Sequence, residues 1–234
     1  KVMNMNDVIT DNYKLLHGDC LEVMKAIPDG SIDLILTDPP YGTTACKWDN
    51  VIPFEPMWEQ LKRIIKPNGA IVLFGSEPFS SLLRCSNLSM FKYDWIWEKS
   101  KSTGFLNSKK QPLRSHEVIS VFYKKQPKYN PQMVDGKPYD KGIRKPQSGN
   151  DVYGNYNQHH ILSGGNRYPR SVQYFRTAES EGGYHKTQKP SGIVCKFINC
   201  SLAEHQKNNY RGESYVGRLS KPLSNLKLIK ARGE

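Results

Sequence analysis

The run Ile32-Asp33-Leu34-Ile35-Leu36-Thr37-Asp38-Pro39-Pro40-Tyr41 joins a nearly continuous apolar segment to a stiff acidic turn. Apolar residues on both sides of the pleat mark a strand covered on both faces, as in parallel sheets flanked by helices. Working outward, Leu21, Met24 and Ile27 fall at helical spacing behind Asp19, which is placed to cap that helix. Met57, Leu61, Ile64 and Ile65 predict a second helix, closed by Pro67-Asn68-Gly69, and Ala70 to Phe74 a second buried strand. A helix over Phe79–Met90 follows, then strands at Tyr93–Trp97 and Val118–Tyr123, and a helix over Ser191–Leu202. Trp95 and Trp97 alternate with Ile96, which sends at least one indole into the sheet. Helices alternating with apolar strands predict an α/β layered fold with a mainly parallel sheet.

Charge separates one region from the rest. The 234 residues carry 34 Lys+Arg against 22 Asp+Glu, a net charge of +12. Residues 99–178 hold 15 Lys+Arg and 4 Asp+Glu, so +11 of the excess lies in that stretch. Tyrosines, glycines and amides are interleaved there. Cations that meet phosphates, with aromatics and amides that reach bases, predict a nucleic-acid surface. The candidate DNA-binding cations within it are Lys109, Lys110, Arg114, Lys124, Lys125, Arg144, Lys145, Arg167 and Arg170. A solvated basic loop is the plainer alternative.

Other classes are set aside by composition. No run approaches the roughly 18 apolar residues of a membrane span, and Lys1 to Asp11 carries no apolar stretch of a secretory signal. Five cysteines at irregular spacing fit neither a disulfide framework nor a zinc site. His159-His160 has no third ligand at suitable spacing, so no metal is expected. The expectation is a cytoplasmic protein with reduced thiols and no membrane contact.

Asp38-Pro39-Pro40-Tyr41 closes its strand at the carboxyl edge, where open α/β sheets bind ligands. The two prolines stiffen the turn and remove backbone donors, leaving carbonyls free to accept. An acid, a fixed carbonyl and an aromatic plate suit an exocyclic amino group on a planar base. Asp38 and the Pro39 carbonyl can each take one N–H, while Tyr41 stacks on the ring. A conjugated amine is a poor nucleophile; acceptors that draw its hydrogens out of the ring plane localise the lone pair. A base inside a duplex must first leave the stack, at a cost of a few kcal/mol.

Asp38-Pro39-Pro40-Tyr41 also resembles the catalytic motif of the amino-group DNA methyltransferases. His17-Gly18-Asp19-Cys20-Leu21 ahead of it, and His185-Lys186-Thr187-Gln188-Lys189-Pro190 behind it, resemble motifs of the subgroup in which the catalytic motif comes early. The likeness covers about residues 13–200. It implies a permuted, Rossmann-like S-adenosylmethionine-dependent methyltransferase sheet with a basic insertion, incomplete at its C-terminal side. It implies methyl transfer to adenine N6 in double-stranded DNA, the Asp form being most typical of adenine enzymes. Cytosine N4 on the same scaffold is the nearest rival. Asp38, Pro39, Pro40 and Tyr41 would be catalytic, and Asp19, Cys20, Asp38 and Lys189 would line the cofactor site. The setting implied is a bacterial or phage-infected cell, with or without a cognate restriction endonuclease in the same system, and no direct contact with one is implied.

The resulting organisation is a catalytic core at 1–123, a recognition insertion at 124–184, a return to the core at 185–203 and an atypical tail at 204–234. The family's glycine-rich cofactor loop is not found in that tail. Its absence predicts weak cofactor binding and a bare sheet edge beside Ile32–Thr37. A truncated, catalytically impaired DNA-binding remnant is accordingly the rival from another class.

Overall fold

The computed structural model describes residues 8–9, 14–145, 157–182, 187–201 and 225–229. In chain order the elements are β1 (Val8–Ile9), β2 (Lys14–Leu15), α1 (Cys20–Met24), β3 (Ile32–Asp38), α2 (Phe54–Ile64), β4 (Ile65–Gly75), α3 (Phe79–Cys85), β5 (Phe91–Thr103) and β6 (Arg114–Phe122). They continue with β7 (Val134–Asp135), β8 (Tyr139–Arg144), β9 (His159–Ser163), β10 (Asn166–Arg167), β11 (Val172–Phe175), α4 (Ser191–Ser201) and β12 (Asn225–Ile229). Two compact units result: Lys1–Asn130 with Ser171–Glu234, and Pro131–Arg170.

The first unit is built on one six-stranded sheet in the order β11-β5-β6-β4-β3-β12. Pairing is parallel for β3–β4 and β5–β11 and antiparallel elsewhere, so four of the six strands run one way. The α/β class and mostly parallel sheet expected from the sequence are present. Both faces are covered, which is why β3 reads as a continuous apolar run. Ile35, Ile71 and Leu73 face Met57, Trp58 and Leu61 of α2. Leu34, Leu36, Val72 and Phe74 face the other way, with Ile193 and Phe197 of α4. Trp95 and Trp97 are both buried on that second face, at 6% and 3% exposure. Each large apolar side chain withdrawn from water contributes about 1.5–3 kcal/mol.

Asp19 caps α1 as its position implies, Oδ1 accepting the Leu21 N–H at 2.8 Å. A five-residue helix cannot stand alone. Arg63 of α2 holds its end by donating to the carbonyls of Met24 at 2.7 Å and Ile27 at 2.8 Å.

Several elements differ from the sequence reading, among them β5 and β6, which pair well beyond Tyr93–Trp97 and Val118–Tyr123. Strand β4 begins at Ile65, before Pro67-Asn68-Gly69, because Ile65 already pairs with Ile32 and Lys66 reaches Asp33 at 2.7 Å. Helix α3 ends at Cys85, short of Met90; the Ser86 hydroxyl turns back to the Leu83 carbonyl at 2.7 Å and breaks the helical ladder. The bare edge expected beside β3 is not there. Asn225–Ile229, in the stretch read as an atypical tail, pairs antiparallel with it from Asn225↔Asp38 to Ile229↔Leu34. Residues 202–224, in which no glycine-rich loop is read, lie outside the described residues, as do His185 and Lys186. Among the described residues no helix is long and apolar enough to cross a membrane.

Among the described residues, the second unit, Pro131–Arg170, holds two antiparallel pairings, β8 with β9 and, enclosing them in the chain, β7 with β10. Strand β11, inside the segment read as an insertion, belongs to the main sheet.

Candidate active site

Strand β3 delivers Asp38 to the carboxyl edge of the sheet, and the chain turns at once through the two buried prolines. The turn is held from within. Asp49, 7% exposed, accepts the backbone N–H groups of Tyr41 (2.8 Å), Gly42 (2.9 Å), Thr43 (2.9 Å) and Thr44 (2.7 Å). Four successive amides around one carboxylate fix the loop that carries Tyr41. Burial pushes the Asp49 carboxyl up, but these donors and the Thr44 hydroxyl together bring it below its ordinary value of 3.8. Gly42 completes the turn at φ +66°, and a Cβ there would meet Val51 Cγ2 at 2.9 Å.

Tyr41 is fixed in turn. Its ring stacks on Phe79 with centroids 5.2 Å apart and planes 25° from parallel. Its Oη donates to Asp38 Oδ1 at 2.6 Å and lies 3.3 Å from Glu117 Oε2. Lys189, placed just before α4, puts Nζ 3.0 Å from Asp38 Oδ2 and 3.0 Å from Glu117 Oε2. Lys99 closes the group, its Nζ 2.6 Å from Glu117 Oε1. Two carboxylates, two ammonium groups and a phenol thus share a nearly dry corner. The Lys189 ammonium also lies 5.3 Å from the Tyr41 ring centroid and 5.5 Å from that of Phe74.

The electrostatics follow from this packing. Burial raises the Asp38 carboxyl above 3.8, and Glu117 adds to the rise against the pull of Lys189 and Tyr41. Burial also acts on Glu117, but Lys189 and Lys99 together outweigh it, so Glu117 lies below 4.5. Tyr41 is raised well above 10 by burial and by both carboxylates. For Lys189, desolvation lowers the value and the two acids more than reverse it, leaving it above 10.5. Lys189 thus bridges Asp38 and Glu117, Lys99 backs Glu117, and the Tyr41 phenol is held toward its neutral form.

Of the residues named from sequence, Asp38, Pro39, Pro40, Tyr41 and Lys189 come together. Asp19 is exposed and caps α1, while Cys20 packs on the same core cluster as Tyr41. Lys109, Lys110, Lys124, Lys125, Lys145 and Arg170 are exposed. Arg114 is tied to the edge of the sheet, Nη1 donating to Ser76 Oγ at 2.9 Å. Arg167 is half-buried: its guanidinium donates to Ser163 Oγ and the Lys137 carbonyl and lies 4.5 Å from the Tyr139 ring centroid. That places Arg167 in the framework of its own unit. The side chain of Arg144 lies outside the described residues. Among the described residues no cluster of three or more His, Cys, Asp or Glu could hold a metal.

Sequence reasoning passed over Glu117, Lys99, Asp49 and Phe79. Glu117 had one visible signal, a lone acid at the head of the apolar run Val118–Phe122.

Comparison with known proteins gives the family and the fold. The model of a DNA methylase family, N6_N4_Mtase, matches residues 32–210. The chain is 26% identical to the type II methyltransferase M.BglII of Bacillus subtilis, over 87% of this chain and 59% of that protein. It is 28% identical to the DNA adenine methyltransferase YhdJ of Escherichia coli K12, over 80% of this chain and 66% of that protein. Its fold is similar to that of the PvuII cytosine-N4-specific DNA methyltransferase, with a TM-score of 0.58, 16% identity, and coverage of 83% of this chain and 72% of that one. The chain spans about three fifths of the length of curated relatives such as M.BglII and M.HpaI, 59% and 61% respectively. With the family model spanning both Asp38 and Lys189, the chain belongs to the N6/N4 DNA methylase family.

Proposed function

We propose that this chain transfers a methyl group from S-adenosylmethionine to an exocyclic amino group in double-stranded DNA, the adenine N6. The observation that carries the reading is the Asp38–Tyr41–Lys189 corner at the carboxyl end of β3 in a chain of this family. The cofactor fits the donor set. Lys189 and Asp38 offer opposite charges 3.0 Å apart, which match the carboxylate and ammonium of a zwitterionic methionine end. When bound, S-adenosylmethionine supplies an electrophilic methyl group on a sulfonium.

The chain's own residues do the rest. The Asp38 carboxylate and the Pro39 carbonyl accept the two N–H bonds of the target amine and localise its lone pair. Tyr41 orients Asp38 through its hydroxyl and offers its ring to the displaced base, worth on the order of 1–3 kcal/mol. Glu117, paired on its other oxygen with Lys99, holds the Lys189 ammonium. The proton that the nitrogen gives up on methylation passes to Asp38, the base in contact with it. This is proximity and electrostatic positioning, with no covalent enzyme intermediate.

The adenine assignment rests on the Asp form of the motif and on the likeness to YhdJ. Chromatography of nucleosides from DNA incubated with the protein and labelled cofactor tests it, with N6-methyladenine the expected product. N4-methylcytosine alone would move the target base to cytosine. A calorimetric titration without cofactor binding would leave the chain a DNA-binding remnant.

A further inference from the structure

The β5–β6 hairpin does more than carry Glu117 and Lys99. It runs on past the catalytic edge of the sheet and ends in a tip that presents apolar side chains to water. Trp97 pairs with Glu117 and Thr103 with Arg114. Arg114 therefore stands three residues beyond Glu117, about 10 Å at 3.3 Å per residue. Its tie to Ser76, immediately after β4, pins the arm to the edge where Asp38 lies. At the tip, Phe105 is 79% exposed and Leu106 is 98% exposed.

Exposed apolar residues scattered singly on a surface need no explanation. These two are adjacent and held by a formed turn. Gly104 takes φ +89°, a left-handed conformation that suits glycine, and Phe105–Asn107 forms a 3-10 turn. Backbone bonds from Asn107 to Gly104 (2.9 Å), Ser108 to Phe105 (3.0 Å) and Lys110 to Asn107 (2.8 Å) close the tip. Charge specifies the partner: residues 99–116 contain Lys99, Lys101, Lys109, Lys110 and Arg114 and no acid. A stiff, cation-flanked apolar point matches a nucleic-acid duplex, whose outside is phosphate and whose interior is stacked bases.

We propose that Phe105 and Leu106 form a wedge that enters the base stack beside the target and fills the gap as the target base swings toward Asp38. The inference rests on the methyl-transfer reading above. Apolar side chains inserted between base steps offset unstacking and hold the duplex open. Lys109 and Lys110 contact the flanking phosphates and set the depth of insertion.

The test compares the parent chain with Phe105→Ser/Leu106→Ser. Both side chains are exposed, so the fold should persist, and an unchanged melting curve checks this. The DNA motif is first identified by sequencing methylated bases in cells that express the chain. Methyl transfer is then measured on a short duplex with that motif, and on the same duplex with the target base mismatched, where extrusion is cheap. The double variant should lose about tenfold or more in kcat/KM on the matched duplex and stay within about threefold of the parent on the mismatched one. Leu106→Met, which keeps the apolar point, should behave as the parent. Equal loss on both duplexes, or no loss on either, overturns the wedge while parental turnover leaves the methyl-transfer reading standing. If the parent methylates no motif at all, that reading fails and the wedge falls with it.

Discussion

Lys189 holds its ammonium 3.0 Å from Asp38 Oδ2 where the two side chains are only 12% and 14% exposed. Removing one partner of such a pair leaves a poorly solvated charge behind, at a cost of about 3–5 kcal/mol. Lys189→Ala should therefore lower the urea midpoint of unfolding and abolish methyl transfer together. A variant as stable as the parent would show that the corner readily admits water.

The pH dependence of the rate should report Asp38. Its carboxyl lies above 3.8 and must be ionised to accept the amine hydrogens, so activity falls as pH drops through that raised value. Glu117 adds to the rise, so Glu117→Gln should move the acid limb to lower pH. Stability carries the opposite sign for the two acids. Glu117, lowered from 4.5, stabilises the fold above that value and loses its contribution as pH falls through its folded pKa. Asp38, raised from 3.8, opposes folding when ionised, an effect relieved on protonation. An acid limb that stays in place in Glu117→Gln would remove Glu117 from the electrostatics of catalysis.

The Tyr41 hydroxyl can be separated from its ring. Tyr41→Phe keeps the stacking surface and unties Asp38 Oδ1, so kcat should fall while DNA affinity stays within about threefold. Tyr41→Ala should lose both functions. Equal kcat for Tyr41→Phe and the parent would leave the 2.6 Å bond to Asp38 without a catalytic role.

Asp49 acts through the loop alone. Asp49→Ala deprives four amides of their acceptor, three of them on exposed residues that water can reach, so the fold should survive with a stability loss of about 1–3 kcal/mol. Gly42→Ala, strained at φ +66°, should cost about 1–2 kcal/mol. Both variants should lower kcat, read in the same transfer assay.

Duplex DNA should bind with a steep salt dependence. Replacing Lys109, Lys110, Lys124 and Lys125 with Ala should flatten the log–log slope by up to about 3.6 units if each meets a phosphate. An unchanged slope would place the phosphate contacts elsewhere.

The core was legible in the sequence wherever burial itself writes the pattern. Strand β3 and the Ala70–Phe74 part of β4 are apolar on both sides because helices cover both faces, and Asp19 announces its helix by a local rule. Asp38-Pro39-Pro40-Tyr41 was legible because its chemistry is contiguous. Glu117 was not, since its worth comes from antiparallel pairing that sets it against Lys99 and from the distant return of Lys189. Asp49 looks like any loop acid until the four amides that surround it are known. Strands β11 and β12 are short, and pairing partners far away in sequence create them.

Residues 131–170 leave the main unit after Asn130, whose N–H donates to the Cys200 carbonyl at 2.8 Å, and the chain rejoins it at Ser171, whose carbonyl accepts from Ile96 at 2.9 Å. Beyond that point β11 is clamped along β5, with Trp97 Nε1 donating to the Phe175 carbonyl at 3.0 Å. Phe175 packs so tightly on α4 that a Cβ at Gly192 would meet its ring at 3.2 Å. Lys189 is thus delivered by anchors that lie wholly outside 131–170. Sequence changes confined to that cassette leave every one of these anchors in place, and with them the register at which Lys189 returns to Asp38.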